Sequence, residues 1–131
     1  MAVAKALGAR RIIAVDIVPQ RLEFAKNYAA TEIYLPPKPL EGESKIDYSS
    51  RNAEQMKQQL NIQDRGINTI DLVIDASGAE VSIQTALYVV KTGGTFVQVC
   101  VTSSPCFTKF NKSCRRWEWV HPTSLSISPS L

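Results

Sequence analysis

Short β-branched apolar runs alternate with helix-patterned segments as far as residue 99, and that alternation restricts the chain more than any other feature. Strands separated by helices cannot pair as hairpins; they form βαβ crossovers and a parallel sheet covered on both faces. Residues 2–8 read as an alanine-rich helix closed by Gly8 at a C′ position. Arg11–Val15 has the pattern of a strand buried on both faces. Pro19 opens a helix through Tyr28, with Leu22, Phe24, Ala25, Tyr28 and Ala29 as its apolar face. Thr31–Leu35 makes a short strand, stopped by Pro36-Pro37-Lys38-Pro39, which cannot continue a ladder.

Residues 36–50 form a polar loop, after which Ser49 or Ser50 caps a solvated helix from Asn52 to Leu60, with Met56 and Leu60 inward. Asn61–Asn68 is a turn and Ile70–Asp75 a strand, followed by the small-residue turn Ala76-Ser77-Gly78. A helix from Ala79 to Val90 buries Val81, Ile83, Ala86, Leu87 and Val90. Thr92-Gly93-Gly94 ends it, and Thr95–Val99 is the last strand. No internal repeats occur.

The composition changes at Cys100. Residues 1–99 hold eleven Lys/Arg and eleven Asp/Glu, so the net charge of +3 comes entirely from residues 100–131. All three cysteines, both tryptophans and the single histidine also lie there. At 131 residues the chain has room for one domain, here residues 1–99. Residues 100–131, rich in serine and lacking a periodic apolar pattern, are expected to be a disordered tail. No run approaches the roughly 18–20 apolar residues of a membrane helix. The stretch Met1 to Val15 is basic and acid-free, but it lacks serine and runs into a strand, which argues against a targeting segment. With no cysteine before residue 100 there is no disulfide framework in the body, and a cytoplasmic location is expected.

Asp16 closes the first strand, at the carboxyl edge where open α/β sheets bind ligands. A carboxylate there can accept both hydroxyl hydrogens of an adenosine ribose and repel a 2′-phosphate; a solvated turn aspartate is the plainer alternative. Arg21, on the first turn of the next helix, can lie beside an adenine, pair with Asp16 or face solvent. Ser77, in the turn after the strand ending at Asp75, lets backbone approach a nicotinamide ribose or simply caps a helix. Val99 ends the last strand on that edge. In a dinucleotide-binding unit a G-x-G-x-x-G turn precedes the acid by about 20 residues, a position that falls before Met1 here. The expectation is therefore a partial nucleotide-binding domain without its first strand and phosphate cradle.

These pieces, in this order, resemble the cofactor-binding domain of the zinc-type medium-chain alcohol dehydrogenases, most closely the sorbitol and xylitol (polyol) branch. The resemblance rests on Ala4 to Asp16, Arg21, the run Ile74-Asp75-Ala76-Ser77-Gly78-Ala79-Glu80-Val81-Ser82-Ile83-Gln84, and Thr92-Gly93-Gly94-Thr95-Phe96-Val97-Gln98-Val99. It implies an incomplete Rossmann-type doubly wound parallel sheet. It also implies NAD as cofactor, with Asp16, Arg21 and Val99 among its contacts beside the Ser77 turn at the same sheet edge, and a small polyol as substrate of the intact relative. The family continues after the last valine with Gly-x-Gly, where Cys100-Val101-Thr102 stand here. Its catalytic zinc is held in a separate amino-terminal domain, so no catalytic residue and no zinc ligand is expected in this chain. In the order 3-2-1-4-5-6 the strands at Arg11–Val15 and Ile70–Ile74 would both neighbour the first strand. They would then keep open edges, or pair with each other.

The tail admits other readings. Cys100, Cys106, Cys114 and His121 are ligand types for zinc, but no C-x₂-C pair is present. Lys109, Lys112, Arg115 and Arg116 among Phe107, Phe110, Trp117 and Trp119 could meet RNA or an acidic partner, which would make the chain a non-catalytic binding module. A solvated charged tail explains them more simply, and no nucleic-acid partner is expected. Finally, Trp117-Glu118-Trp119-Val120 must be encoded TGG GAR TGG GTN, which read two nucleotides later specifies Gly, Met or Val, then Gly. That is the family's Gly-x-Gly, as if Cys100 to Arg116 were retained intron. Sequencing the transcript across the Val99 codon tests this; mRNA continuous through the tail, with no spliced form, counts against it.

Overall fold

The computed structural model describes residues 1–99, in the order α1 (Ala2–Ala6), β1 (Ile13–Val15), α2 (Pro19–Tyr28), β2 (Glu32–Tyr34), α3 (Lys45–Gln59), β3 (Ile70–Asp75), α4 (Glu80–Val89), β4 (Val90–Gln98). The expectations for Cys100 and everything after it lie outside the described residues. The chain divides into two compact units at Glu41/Gly42.

In the amino-terminal unit α1 ends in a Schellman motif. The Gly8 N–H donates to the Lys5 carbonyl and the Ala9 N–H to Ala4, with Gly8 at φ 84°. Glycine takes that left-handed conformation without a Cβ penalty, as its position in the sequence implies. β1 and β2 pair in parallel, Ile13 opposite Glu32 and Val15 opposite Tyr34, across the crossover helix α2. Thr31 strengthens the entry to β2: its hydroxyl donates to the Ile12 carbonyl and accepts the Ile12 N–H. Leu22, Ala25 and Ala29 of the α2 region are buried, with Ile12, Ala30 and Tyr34. Phe24 and Tyr28 are not part of that face. They are 67% and 55% exposed and stack on each other with centroids 5.6 Å apart. At 3.6 residues per turn, positions 22, 25 and 29 share one side of the helix and 24 and 28 the opposite side.

In the second unit α3 begins at Lys45, seven residues before the expected start. Its cap is Ser44, whose hydroxyl accepts the Asp47 N–H in an S-x-x-D arrangement related to the capping box. Ser49 is fully buried inside the helix instead, its hydroxyl against the Lys45 and Val81 carbonyls and the Gln84 amide oxygen. Asn52 donates to Thr85 of α4, so the polar face expected to be solvated is the contact between two helices. Asn61 closes α3 at φ 50°, with the Ile62 N–H on the Lys57 carbonyl.

β3 and β4 are also parallel, from Leu72 opposite Thr95 to Asp75 opposite Gln98. β4 starts at Val90, opposite Ile70, earlier than Thr95; the intervening 91–94 segment bulges out of register. Gly94 is required there, because a Cβ would sit 2.7 Å from a Val90 methyl and 3.0 Å from the Asp71 carbonyl oxygen. Ile83 and Ala86 of α4 form a core with Phe96, and Val73 and Leu87 pack against it.

The two pairs, β1-β2 and β3-β4, are separate two-stranded sheets; among the described residues no ladder joins β1 to β3. They correspond to neighbours 2-3 and 4-5 of the doubly wound order, so the fold is an incomplete Rossmann-like α/β arrangement. The expected burial of strands on both faces does not hold. Val15, Leu72 and Ile74 are exposed, because each strand has a single neighbour and alternate side chains point away from the covering helix.

Candidate functional site

Two strands end on aspartate, and the two carboxylates are used differently. Asp16 follows β1, with its side chain 30% exposed. Its Oδ1 accepts the Val18 N–H at 2.9 Å, an Asx turn that leads the chain into α2 at Pro19. Oδ2 has no hydrogen bond among the described residues; the nearest cation is the Arg21 Nη1 at 3.8 Å, on a side chain that is 73% exposed. An acceptor-only group thus retains an open oxygen beside a solvated guanidinium. Such an oxygen can accept hydrogens from hydroxyl donors.

Asp75, at the end of β3, is only 5% exposed. Its Oδ1 accepts the Ser77 hydroxyl at 2.7 Å and the Ser82 hydroxyl at 2.9 Å, and its Oδ2 accepts the Gly78 N–H at 3.0 Å. The Ser77 hydroxyl also accepts the Ala79 N–H at 3.2 Å, so that side chain is committed to its own turn. Ser77 itself is exposed. Val99 is exposed and its N–H donates to the Asp75 carbonyl at 2.8 Å, which brings Ser77 and Val99 to one strand end. Asp16 and Arg21 lie in the first unit. Sequence reading gave Asp75 and Ser82 no role; the signal available was the repetition of the strand-Asp pattern with serines two and seven positions on.

Among the described residues no group of three or more His, Cys, Asp or Glu could hold a metal ion. The zinc that the resemblance implies thus has no ligand set among the described residues. No helix among these residues is long and apolar enough to cross a membrane.

A family model described as zinc-binding dehydrogenase matches residues 1–115, past the change in composition at Cys100. Among curated proteins, the probable D-xylulose reductase A of Neosartorya fischeri is 48% identical over 97 residues, covering 74% of this chain and 24% of the relative. The D-xylulose reductase A of Aspergillus oryzae gives the same identity and coverage, and the probable D-xylulose reductase A of Aspergillus niger is 45% identical over the same length. The chain thus spans about a quarter of the length of the relatives it matches. A 97-residue match at this identity, together with the parallel βαβ pairs, places the chain in the zinc-binding dehydrogenase family, in its polyol-dehydrogenase branch.

Proposed function

We propose that residues 1–99 are part of the NAD-binding domain of a polyol dehydrogenase. The intact enzyme interconverts a ketose such as D-xylulose and its polyol, and this chain alone is inactive. The reading draws its substrate class from the names of the relatives. The observation that carries its cofactor half is the open hydrogen-bonding capacity of Asp16 Oδ2 at a strand end. In this reading Oδ2 accepts the hydroxyl hydrogens of the adenosine ribose, and the same charge disfavours a 2′-phosphate, selecting NAD over NADP. Arg21 lies along the adenine. The backbone at Ser77 and Val99 faces the nicotinamide side. NAD, when bound, supplies the hydride acceptor for a secondary alcohol; the described residues only hold and orient it. A cysteine-free body fits a cytoplasmic setting.

A chimera tests this directly. Residues 1–99 replace the aligned segment of Aspergillus oryzae D-xylulose reductase A, and xylitol oxidation is followed with NAD and with NADP. The chimera should prefer NAD, and Asp16→Ala should raise KM for NAD about tenfold or more while relieving the bias against NADP, since hydrogen bonds to a charged group are worth roughly 1.5–3 kcal/mol. An NADP-preferring chimera, or one indifferent to Asp16→Ala, would reject the assignment.

A further inference from the structure

Asp75 does more than end a strand. A buried carboxylate is costly unless its lone pairs are met, and four donors converge on this one. Oδ1 receives the Ser77 N–H at 3.4 Å and the Ser77 and Ser82 hydroxyls at 2.7 and 2.9 Å; Oδ2 receives the Gly78 N–H at 3.0 Å. Its backbone carbonyl separately accepts the Val99 N–H at 2.8 Å. One residue therefore fixes two backbone segments that are more than twenty positions apart in sequence.

We propose that Asp75 is the positioning residue for the nicotinamide side of the cofactor site: its carboxylate sets the turn at Ser77–Gly78 and its carbonyl sets Val99, so both backbone segments are placed before ligand arrives. The inference rests on the assignment of Ser77 and Val99 made above. Helix capping does not account for the arrangement, because the N-cap of α4 is Ala79 and no side chain caps it. Ser82, inside the first turn of α4, instead reaches back to Asp75 and ties the helix to the strand end. Gly78 completes the turn at φ 65°, a conformation glycine takes freely, and its N–H is held on Oδ2.

The site demands a carboxylate. An ionised Asp is acceptor-only at both oxygens, whereas Asn carries two donors on one side. In one amide orientation of an Asp75→Asn variant, the new NH₂ would oppose the Gly78 N–H, which cannot reverse its polarity. In the other it would oppose the Ser77 N–H and crowd the two hydroxyls. Neither orientation satisfies the turn.

The test uses the full 131-residue chain, nitrogen-15 labelled, titrated separately with nicotinamide mononucleotide and with adenosine 5′-monophosphate. In the wild type the first ligand should shift the Ser77, Gly78 and Val99 amides, and the second those of Asp16 and Ile17. Ser82→Ala removes one hydrogen bond to the carboxylate. It should lower exchange protection of the Gly78 amide roughly tenfold, the factor equivalent to about 1.4 kcal/mol, and weaken the nicotinamide mononucleotide response at Ser77 and Gly78 in step. The adenosine response and the protection of Ala53 and Met56 should not change. Asp75→Asn should abolish the nicotinamide response at Ser77 and Gly78 while the Val99 amide, held by the backbone carbonyl, keeps its exchange protection; should that variant fail to fold, Ser82→Ala decides alone. If nicotinamide mononucleotide leaves all three wild-type amides unmoved, the site assignment fails and the inference with it. If it moves them and both folded variants respond like wild type, the assignment stands and Asp75 is only a structural carboxylate.

Discussion

At the level of single residues, the charges of this chain divide into those committed to the fold and those left over. Arg11 grips Glu32 with two hydrogen bonds, Nε to Oε1 at 2.6 Å and Nη2 to Oε2 at 2.7 Å. These bonds hold the Glu32 carboxyl below its usual range, against an opposing push from burial, and raise Arg11 above its own. A carboxyl depressed in the folded state contributes stability that is full above its unfolded pKa and disappears as pH falls through the folded value. Urea unfolding followed down through the acid limb should therefore show a loss that Glu32→Gln flattens; parallel acid limbs for the two proteins would exclude the pair as a source. Asp16 is the counter-example, with one oxygen in its own turn and the other open. Sequence alone did not show how differently Asp16 and Asp75 are surrounded, because each follows an apolar strand run and precedes a helix. The difference lies in what surrounds each carboxylate: two serine hydroxyls and a buried glycine N–H at one, a single backbone N–H and a distant guanidinium at the other.

Among the elements, α3 and α4 are the pair whose contact is least legible in the sequence. Residues 45–59 are mostly polar, and a polar helix reads as a solvated one. Yet Ser49 and Asn52 face Gln84 and Thr85 of α4, where hydrogen bonds meet the polar groups that burial would otherwise penalise. The early start of α3 is written at Ser44-Lys45-Ile46-Asp47, but Ser49 and Ser50 offer a competing cap. Since Ser49 is fully enclosed, Ser49→Leu should destabilise the protein by about 1–3 kcal/mol through overpacking. Glu54→Leu, on the exposed side of the same helix, should stay within about 0.5 kcal/mol. Equal unfolding midpoints for the two variants would show that the α3–α4 contact does not form as described. The crossover elements are simpler: α2 covers the residues its opening proline implies and β3 the full apolar run. In α2, Phe24 and Tyr28 depart from expectation, since an apolar residue four positions from another need not lie on the face that packs.

At the scale of the chain, the decisive facts are the two parallel pairs among the described residues and a sequence without a G-x-G-x-x-G turn. A pyrophosphate is ordinarily met by the N–H groups of a helix that such a turn opens. Calorimetric titration of the 131-residue chain with NAD should accordingly give no affinity tighter than about millimolar, equivalent to roughly −4 kcal/mol; micromolar binding would mean that another element cradles the diphosphate. The pattern of apolar runs and breakers by itself determined the class of fold and the parallel pairing, because βαβ connectivity follows from local periodicity and short-range turn chemistry, while the family was legible only as a resemblance in particular residues such as Asp16, Arg21 and the run Ile74–Gln84. Only the tertiary structure decided which aspartate is buried, which helix face packs and where the ladders stop. Those outcomes depend on contacts between residues distant in sequence, such as Ser49 with Gln84 or Asp75 with Val99, whose free energies no local pattern encodes.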